Sequence, residues 1–166
     1  FDQHYYWFGE HNKFPPHSTI SFLLHHFEEQ HNEKVKQMLE NTLDKMQESW
    51  LHDHLQWWFF RYCVDRQWQI PHFEKMLYDQ ALMLQNYALW YKILQKESYK
   101  NTVYKILKCL EETFQKDWLY YSWIDADTNH EEWLTYLWHE KEIENYLSKD
   151  EKKQFQKAFD MIPFEW

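Results

Sequence analysis

Val35-Lys36-Gln37-Met38-Leu39-Glu40-Asn41-Thr42-Leu43-Asp44-Lys45-Met46 places Val35, Met38, Leu39, Thr42, Leu43 and Met46 at alternating steps of three and one. That spacing is one face of an α-helix, because residues three and four apart lie above one another at 3.6 residues per turn. Just upstream, Ile20, Leu23, Leu24 and Phe27 repeat the spacing after Ser18, an expected N-cap. Only the short break at His31-Asn32 separates the two stretches. Two helices joined so tightly must run antiparallel, as a helical hairpin.

The pattern returns downstream. Residues 73–94 carry Leu77, Ala81, Leu84, Ala88 and Tyr91 on one face. Residues 99–114 carry Val103, Ile106, Leu107 and Leu110, completing a second hairpin. Residues 140–147 form a short fifth helix, and Ser148 with Glu151 forms the capping-box pattern of a sixth, reaching Phe159. The reading is all-α: three antiparallel hairpins in one domain over residues 1–166. Leu39 and Leu107 are expected to be buried between hairpin helices. Each hairpin follows an irregular aromatic stretch, at residues 2–17, 48–75 and 117–139. In the last stretch a small β-ribbon is expected near residues 119–138, pairing 119–123 with 134–138. Up-down topology gathers the starts of the odd helices, and with them these loops, at one end.

Composition narrows the function classes. The 166 residues carry 27 acidic and 18 basic side chains, a net charge of −9. Phosphate contacts want an excess of Lys and Arg, so no nucleic-acid partner is expected. No apolar run approaches the roughly 20 residues of a membrane span, and no signal peptide opens the chain, so a cytoplasmic location without membrane contact is expected. The two cysteines, Cys63 and Cys109, exclude a disulfide scaffold and a zinc ribbon. Aromatic residues make up 21% of the chain and there is one glycine, Gly9. So few glycines argue against an all-β fold, whose turns need them.

Arg61-Tyr62-Cys63-Val64-Asp65-Arg66-Gln67-Trp68, followed by Ile70-Pro71-His72-Phe73-Glu74-Lys75-Met76-Leu77-Tyr78-Asp79-Gln80-Ala81-Leu82, resembles the signature of the spermatogenesis-associated protein 20-like family. Phe8-Gly9 with Lys13-Phe14-Pro15, Asp53-His54-Leu55, Ser122 with Asp125-Ala126-Asp127-Thr128, and Tyr136, Trp138, Glu142 and Ile143 resemble further family motifs in the same order, as does Phe164-Glu165. The resemblance implies part of a six-hairpin (α/α) toroid, without the thioredoxin-like domain of the family. Relatives of such toroids are glycosidase-like and epimerase-like, which implies a carbohydrate ligand. Where the family has glycines, this chain has Tyr6, Trp7, Ser49, Trp50, Gln56, Trp57, Trp58, Trp118, Leu119, Trp133 and Trp166. Such loops are expected to change shape and to fill their cavities with indole rings. An incomplete ring exposes its flanks, so self-association, or a flank sealed by residues 155–166, is expected.

The candidate chemistry follows from these stretches. His72, Glu74, Lys75 and Asp79 cluster about the start of the third helix, where they could bind hydroxyls or move protons; Glu74 could equally serve the helix dipole. Asp125 and Asp127 are a carboxylate pair suited to acid and base roles or to a cation, and also suited to capping a turn. Asp53 and Asp65, with Arg61, could supply an opposing wall, or Arg61 and Asp65 could form an ion pair that fixes the loop. His72, Arg61 and Asp125 are expected to lie nearest one another, joined by Glu74 or Asp79 but not both. His52-Asp53-His54, His25-His26 and His31 lack metal-site spacing, so neither metal nor cofactor is expected. The expectation is a sugar-binding or carbohydrate-active domain. The alternative is a non-catalytic helical scaffold, a family fragment or redesign without activity.

Overall fold

The computed structural model describes residues 1–158 and divides into two compact units, with the boundary after Ala126. The first unit opens with helices α1 (His17–Gln30) and α2 (Glu33–Glu48), which pack together. Asn32 caps α2 by accepting from the amides of Lys34 and Val35. Ser18 is not a cap: α1 begins at His17, with Pro16 in the N-cap position and no side-chain cap. A long loop then carries strands β1 (Tyr62–Cys63), β2 (Pro71–His72) and β3 (Lys75–Met76). Helices α3 (Leu77–Leu94) and α4 (Glu97–Cys109) form the second hairpin, and α4 runs into a π-helical turn at Leu110–Phe114. Strands β4 (Gln115–Lys116), β5 (Leu119–Tyr120) and β6 (Trp123–Ile124) close the unit.

The second unit contains the hairpin of β7 (Asp127–Thr128) and β8 (Glu131–Glu132), then α5 (Glu140–Tyr146) and α6 (Lys149–Ala158). Ser148 and Glu151 close the expected capping box: the Ser148 amide donates to Glu151 Oε2 at 2.9 Å. The expected end of this helix at Phe159, and most of the 155–166 seal, lie outside the described residues.

The fold is therefore mixed α/β, not all-α: about 52% is helical and about 13% lies in short antiparallel strands. The reason is backbone accounting. Loops that run through a packed interior must pair their amides and carbonyls, and they do so in two-residue ladders. The expected ribbon is also re-paired. β5 pairs with β4, and β6 pairs with β3 across the unit, while residues 134–138 form no strand.

The core of the first unit is built from Ile20, Leu24, Leu39, Leu43, Met46, Met83, Tyr87, Trp90 and Ile106, with Trp68 and Phe59 supplied by the loop. Leu39 is buried as expected. Leu107 is 38% exposed, and Ile106 holds its place in the core. The buried face of α3 is rotated from the expected one: Ala81 and Ala88 are exposed, and Asp79, Gln80, Met83, Asn86, Tyr87 and Trp90 point inward. Polar side chains can occupy that face because each finds a partner there, as described next.

Candidate functional site

The loop between α2 and α3 is fixed by its own acids and amides. Asp53 accepts from the amides of Leu55 and Gln56 and from Trp58 Nε1 at 2.6 Å. Asp65 accepts from the amides of Gln67, Gln69 and Ile70. Asp65 thus closes its own turn and makes no pair with Arg61. Gln80 on α3 imitates a strand neighbour: it accepts from the Phe59 amide at 2.9 Å and donates to the Phe59 carbonyl at 2.7 Å.

The loop places the predicted cluster at the start of α3. Arg61 Nη1 donates to Glu74 Oε2 at 2.7 Å, and the Arg61 amide donates to the Glu74 carbonyl at 2.8 Å. His72 Nδ1 lies 3.9 Å from the same Glu74 oxygen. The His72 ring stacks on Tyr62 at 4.8 Å, and Tyr62 stacks on Phe14 at 4.4 Å. The charge-assisted bond to Glu74 raises the Arg61 pKa further.

Asp79 turns the other way. Its Oδ1 meets His17 Nε2 at 3.0 Å, a residue the sequence reading did not single out. Asn86 Nδ2 lies 3.4 Å from His17 Nδ1, and Ser21 Oγ lies 3.5 Å from Asn86 Oδ1. The Asn86 amide can only donate at that nitrogen, so Nδ1 is the acceptor and Nε2–H is the donor to Asp79. Both ring nitrogens are engaged, and the imidazole is a bridge in the α1–α3 interface. Burial raises the Asp79 pKa, against the opposing pull of His17. The signal for this seam was present: Asp79 and Asn86 are seven apart, two turns on one face of α3.

Lys75 is buried, with its ammonium 4.0 Å from the Trp58 ring centroid and 5.3 Å from that of Phe60. Burial pulls its pKa down to about 7, against the fields of Asp53 and Cys109. Lys13 of the Lys-Phe-Pro motif is also fully buried, inside rings of Tyr5, Trp7 and Trp68, and burial lowers its pKa. Its backbone pairs with Cys63 in both directions, which fastens the N-terminal segment to the loop. Burial raises the Cys63 thiol pKa, opposite to what a nucleophile needs.

Asp125 is exposed and follows Ile124, the register partner of Lys75. Asp127 is exposed and belongs to the second unit, in β7. The structure thus brings Arg61, His72 and Glu74 into contact, with Asp79 paired to His17, Lys75 set among rings and Asp65 used within its own turn. Among the described residues, no three His, Cys, Asp or Glu side chains come together to hold a metal, and no helix is long and apolar enough to cross a membrane.

Several glycine replacements keep the backbone shape that a glycine would allow. Tyr6, Trp57 and Trp133 hold φ of 54°, 73° and 61°. Trp118 is not among the residues with positive φ.

Fold and site together describe a helical-hairpin domain whose polar cluster is bonded largely to itself. In sequence it is 35% identical over 89% of its length to spermatogenesis-associated protein 20 of Homo sapiens and 36% identical over 89% to that of Mus musculus. It is also 34% identical over 98% of its length to an uncharacterised protein of Caenorhabditis elegans. The chain is therefore a relative of a segment of the spermatogenesis-associated protein 20-like family. It spans 20% of the length of the human and mouse proteins and 24% of the worm protein. No family model matches it. The printed names of these relatives lend the expected carbohydrate ligand and glycosidase likeness no support.

Proposed function

We propose that this chain is a non-catalytic scaffold and interaction domain of a cytoplasmic protein. The observation that carries this reading is how the candidate polar groups are used. Arg61 is committed to Glu74, Asp79 to His17, Asp53 and Asp65 to backbone amides of their own loops, and Gln80 to Phe59. A catalytic acid or base needs a face open to substrate. Here the same residue types hold an aromatic loop onto α3. Two concavities among the described residues lie elsewhere, beside the N-terminal segment and between α2 and α4. Trp118, Tyr120, Tyr121 and Trp123 are all about half exposed or more, as suits a contact surface. Two buried free thiols, Cys63 and Cys109, accord with a reducing compartment.

The test separates holding the fold from holding a ligand. Glu74→Gln should lower the melting temperature by several degrees, the effect of about 1 kcal/mol in a domain of this size. A panel of mono- and oligosaccharides should leave the melting temperature of the unsubstituted chain unchanged. A saturable rise with one sugar, abolished by Glu74→Gln, would overturn the scaffold reading.

A further inference from the structure

The groove between α2 and α4 carries two charged side chains that form no ion pair among the described residues. Its volume is about 410 Å³. The floor is closed by internal hydrogen bonds: Gln47 Nε2 donates to Ser98 Oγ at 3.3 Å, and Thr102 Oγ1 donates to Gln47 Oε1 at 3.1 Å. The rim is different. Glu48 at the end of α2 and Lys105 on α4 both line the groove, and neither makes an ion pair among the described residues. Lys105 Nζ rests 3.6 Å from the Trp57 ring centroid.

At the loop end the groove is lined by His52, which is only 3% exposed. Its Nδ1 lies 3.1 Å from the Gln47 carbonyl oxygen, an acceptor, so Nδ1 carries the hydrogen and Nε2 keeps the lone pair. Among the described residues Nε2 has no hydrogen-bond partner. The Trp57 carbonyl acts on the same ring without reaching hydrogen-bond geometry. Burial, with the fields of His54 and Lys105, holds the imidazole neutral by lowering its pKa to about 4. A buried acceptor left unpaired is unfavourable and asks for a donor. The exposed His54 ring packs 5.0 Å from the His52 ring and its Nε2 lies 3.0 Å from the Ser49 carbonyl oxygen.

We propose that this groove binds a small zwitterion of the free amino-acid type, with its carboxylate on Lys105 and its ammonium group between Glu48 and His52 Nε2. The inference goes beyond the scaffold role and does not depend on it. Two charges of opposite sign that lack an ion-pair partner among the described residues select the class, with the Lys105 ammonium held on the Trp57 ring at the rim. A simple anion would meet Glu48, a simple cation would meet Lys105, and a neutral polyol would leave both charges unmatched. The floor hydroxyls are already engaged, so recognition falls to the rim.

The experiment uses the full chain, labelled with ¹⁵N-histidine, and L-serine as the probe. The His52 Nε2 resonance should shift saturably, with half-effect at about millimolar serine, the range of a small polar ligand. L-Lactate, which lacks the ammonium group, and ethanolamine, which lacks the carboxylate, should bind at least about tenfold more weakly. Glu48→Gln alters an exposed rim group and should weaken serine binding about tenfold while the melting temperature holds; Lys105→Gln should weaken it about tenfold as well, with a small loss of melting temperature from the Trp57 ring contact. No saturable His52 shift, an equal response to all three compounds, or unchanged serine binding in both variants would each overturn the proposal.

Discussion

Asn129 and His130 hold φ of 56° and 66° between the paired strands β7 and β8. Two positive φ angles in a two-residue hairpin loop define a type I′ turn, whose preferred second residue is glycine. His130→Gly should therefore stabilise the second unit by about 1 kcal/mol, read by chemical denaturation. Trp133→Gly relieves the same kind of backbone strain but deletes a buried indole, so it should destabilise by about 2–4 kcal/mol net. Comparing the two separates backbone strain from side-chain packing. Lys75 supplies a second residue-scale test. Its folded-state pKa of about 7 lies below the ordinary 10.5. The unfolded chain therefore binds more protons between those values, and this residue's contribution makes stability rise with pH across that window. Lys75→Met should flatten the slope and raise the melting temperature most at pH 6, where the buried ammonium is charged. His52 acts in the same direction lower down, between about 4 and its ordinary 6.5.

Elements show where the sequence could be read and where it could not. The stripe of α2 was legible because its buried residues are apolar or small, and Thr42 satisfies its hydroxyl on the Met38 carbonyl at 2.8 Å. The extent of α3 was legible within a few residues, but its inward face was not. Hydrophobic spacing pointed to Ala81 and Ala88, whereas the helix buries Asp79, Gln80 and Asn86. Those three are inside because of partners more than twenty residues away, and periodicity holds no information about partners. The two-residue strands were invisible for a related reason, since a period of two needs several residues to be seen. At the site, the Arg61–Glu74–His72 cluster could be anticipated from its motif, whereas His17 could not, standing forty-four residues before Arg61. The seam gives a direct test. Gln80→Leu fits the volume but leaves the buried amide and carbonyl of Phe59 without their side-chain partner, so it should cost about 2 kcal/mol or more in denaturant midpoint. Leu39→Ala in the apolar part of the same core should cost about 2–5 kcal/mol by cavity formation.

For the molecule as a whole, short-range apolar attraction competes with long-range charge. Trp118 is 80% exposed on the β4–β5 hairpin, with Leu119, Tyr120, Tyr121 and Trp123 exposed close by in sequence. Such a run of aromatics favours association between copies through its apolar area. Against it stands a net charge of −9, which repels like molecules over about a Debye length. The sequence pI of about 5.6 sets where that repulsion vanishes. Self-association should therefore be weak at pH 7.5 in low salt. It should strengthen when salt is raised to about 0.5 M, where the Debye length falls to a few ångströms. It should strengthen again as pH falls toward 6, where the charge is smaller. Trp118→Ser combined with Trp123→Ser should abolish the salt-induced species without changing the melting temperature, because neither ring is buried in the core. Sedimentation velocity across a concentration series gives the readout. Association that weakens with salt would mean that charge pairs, not rings, hold the copies together. A double variant that associates as strongly as the unsubstituted chain would place the contact on another surface.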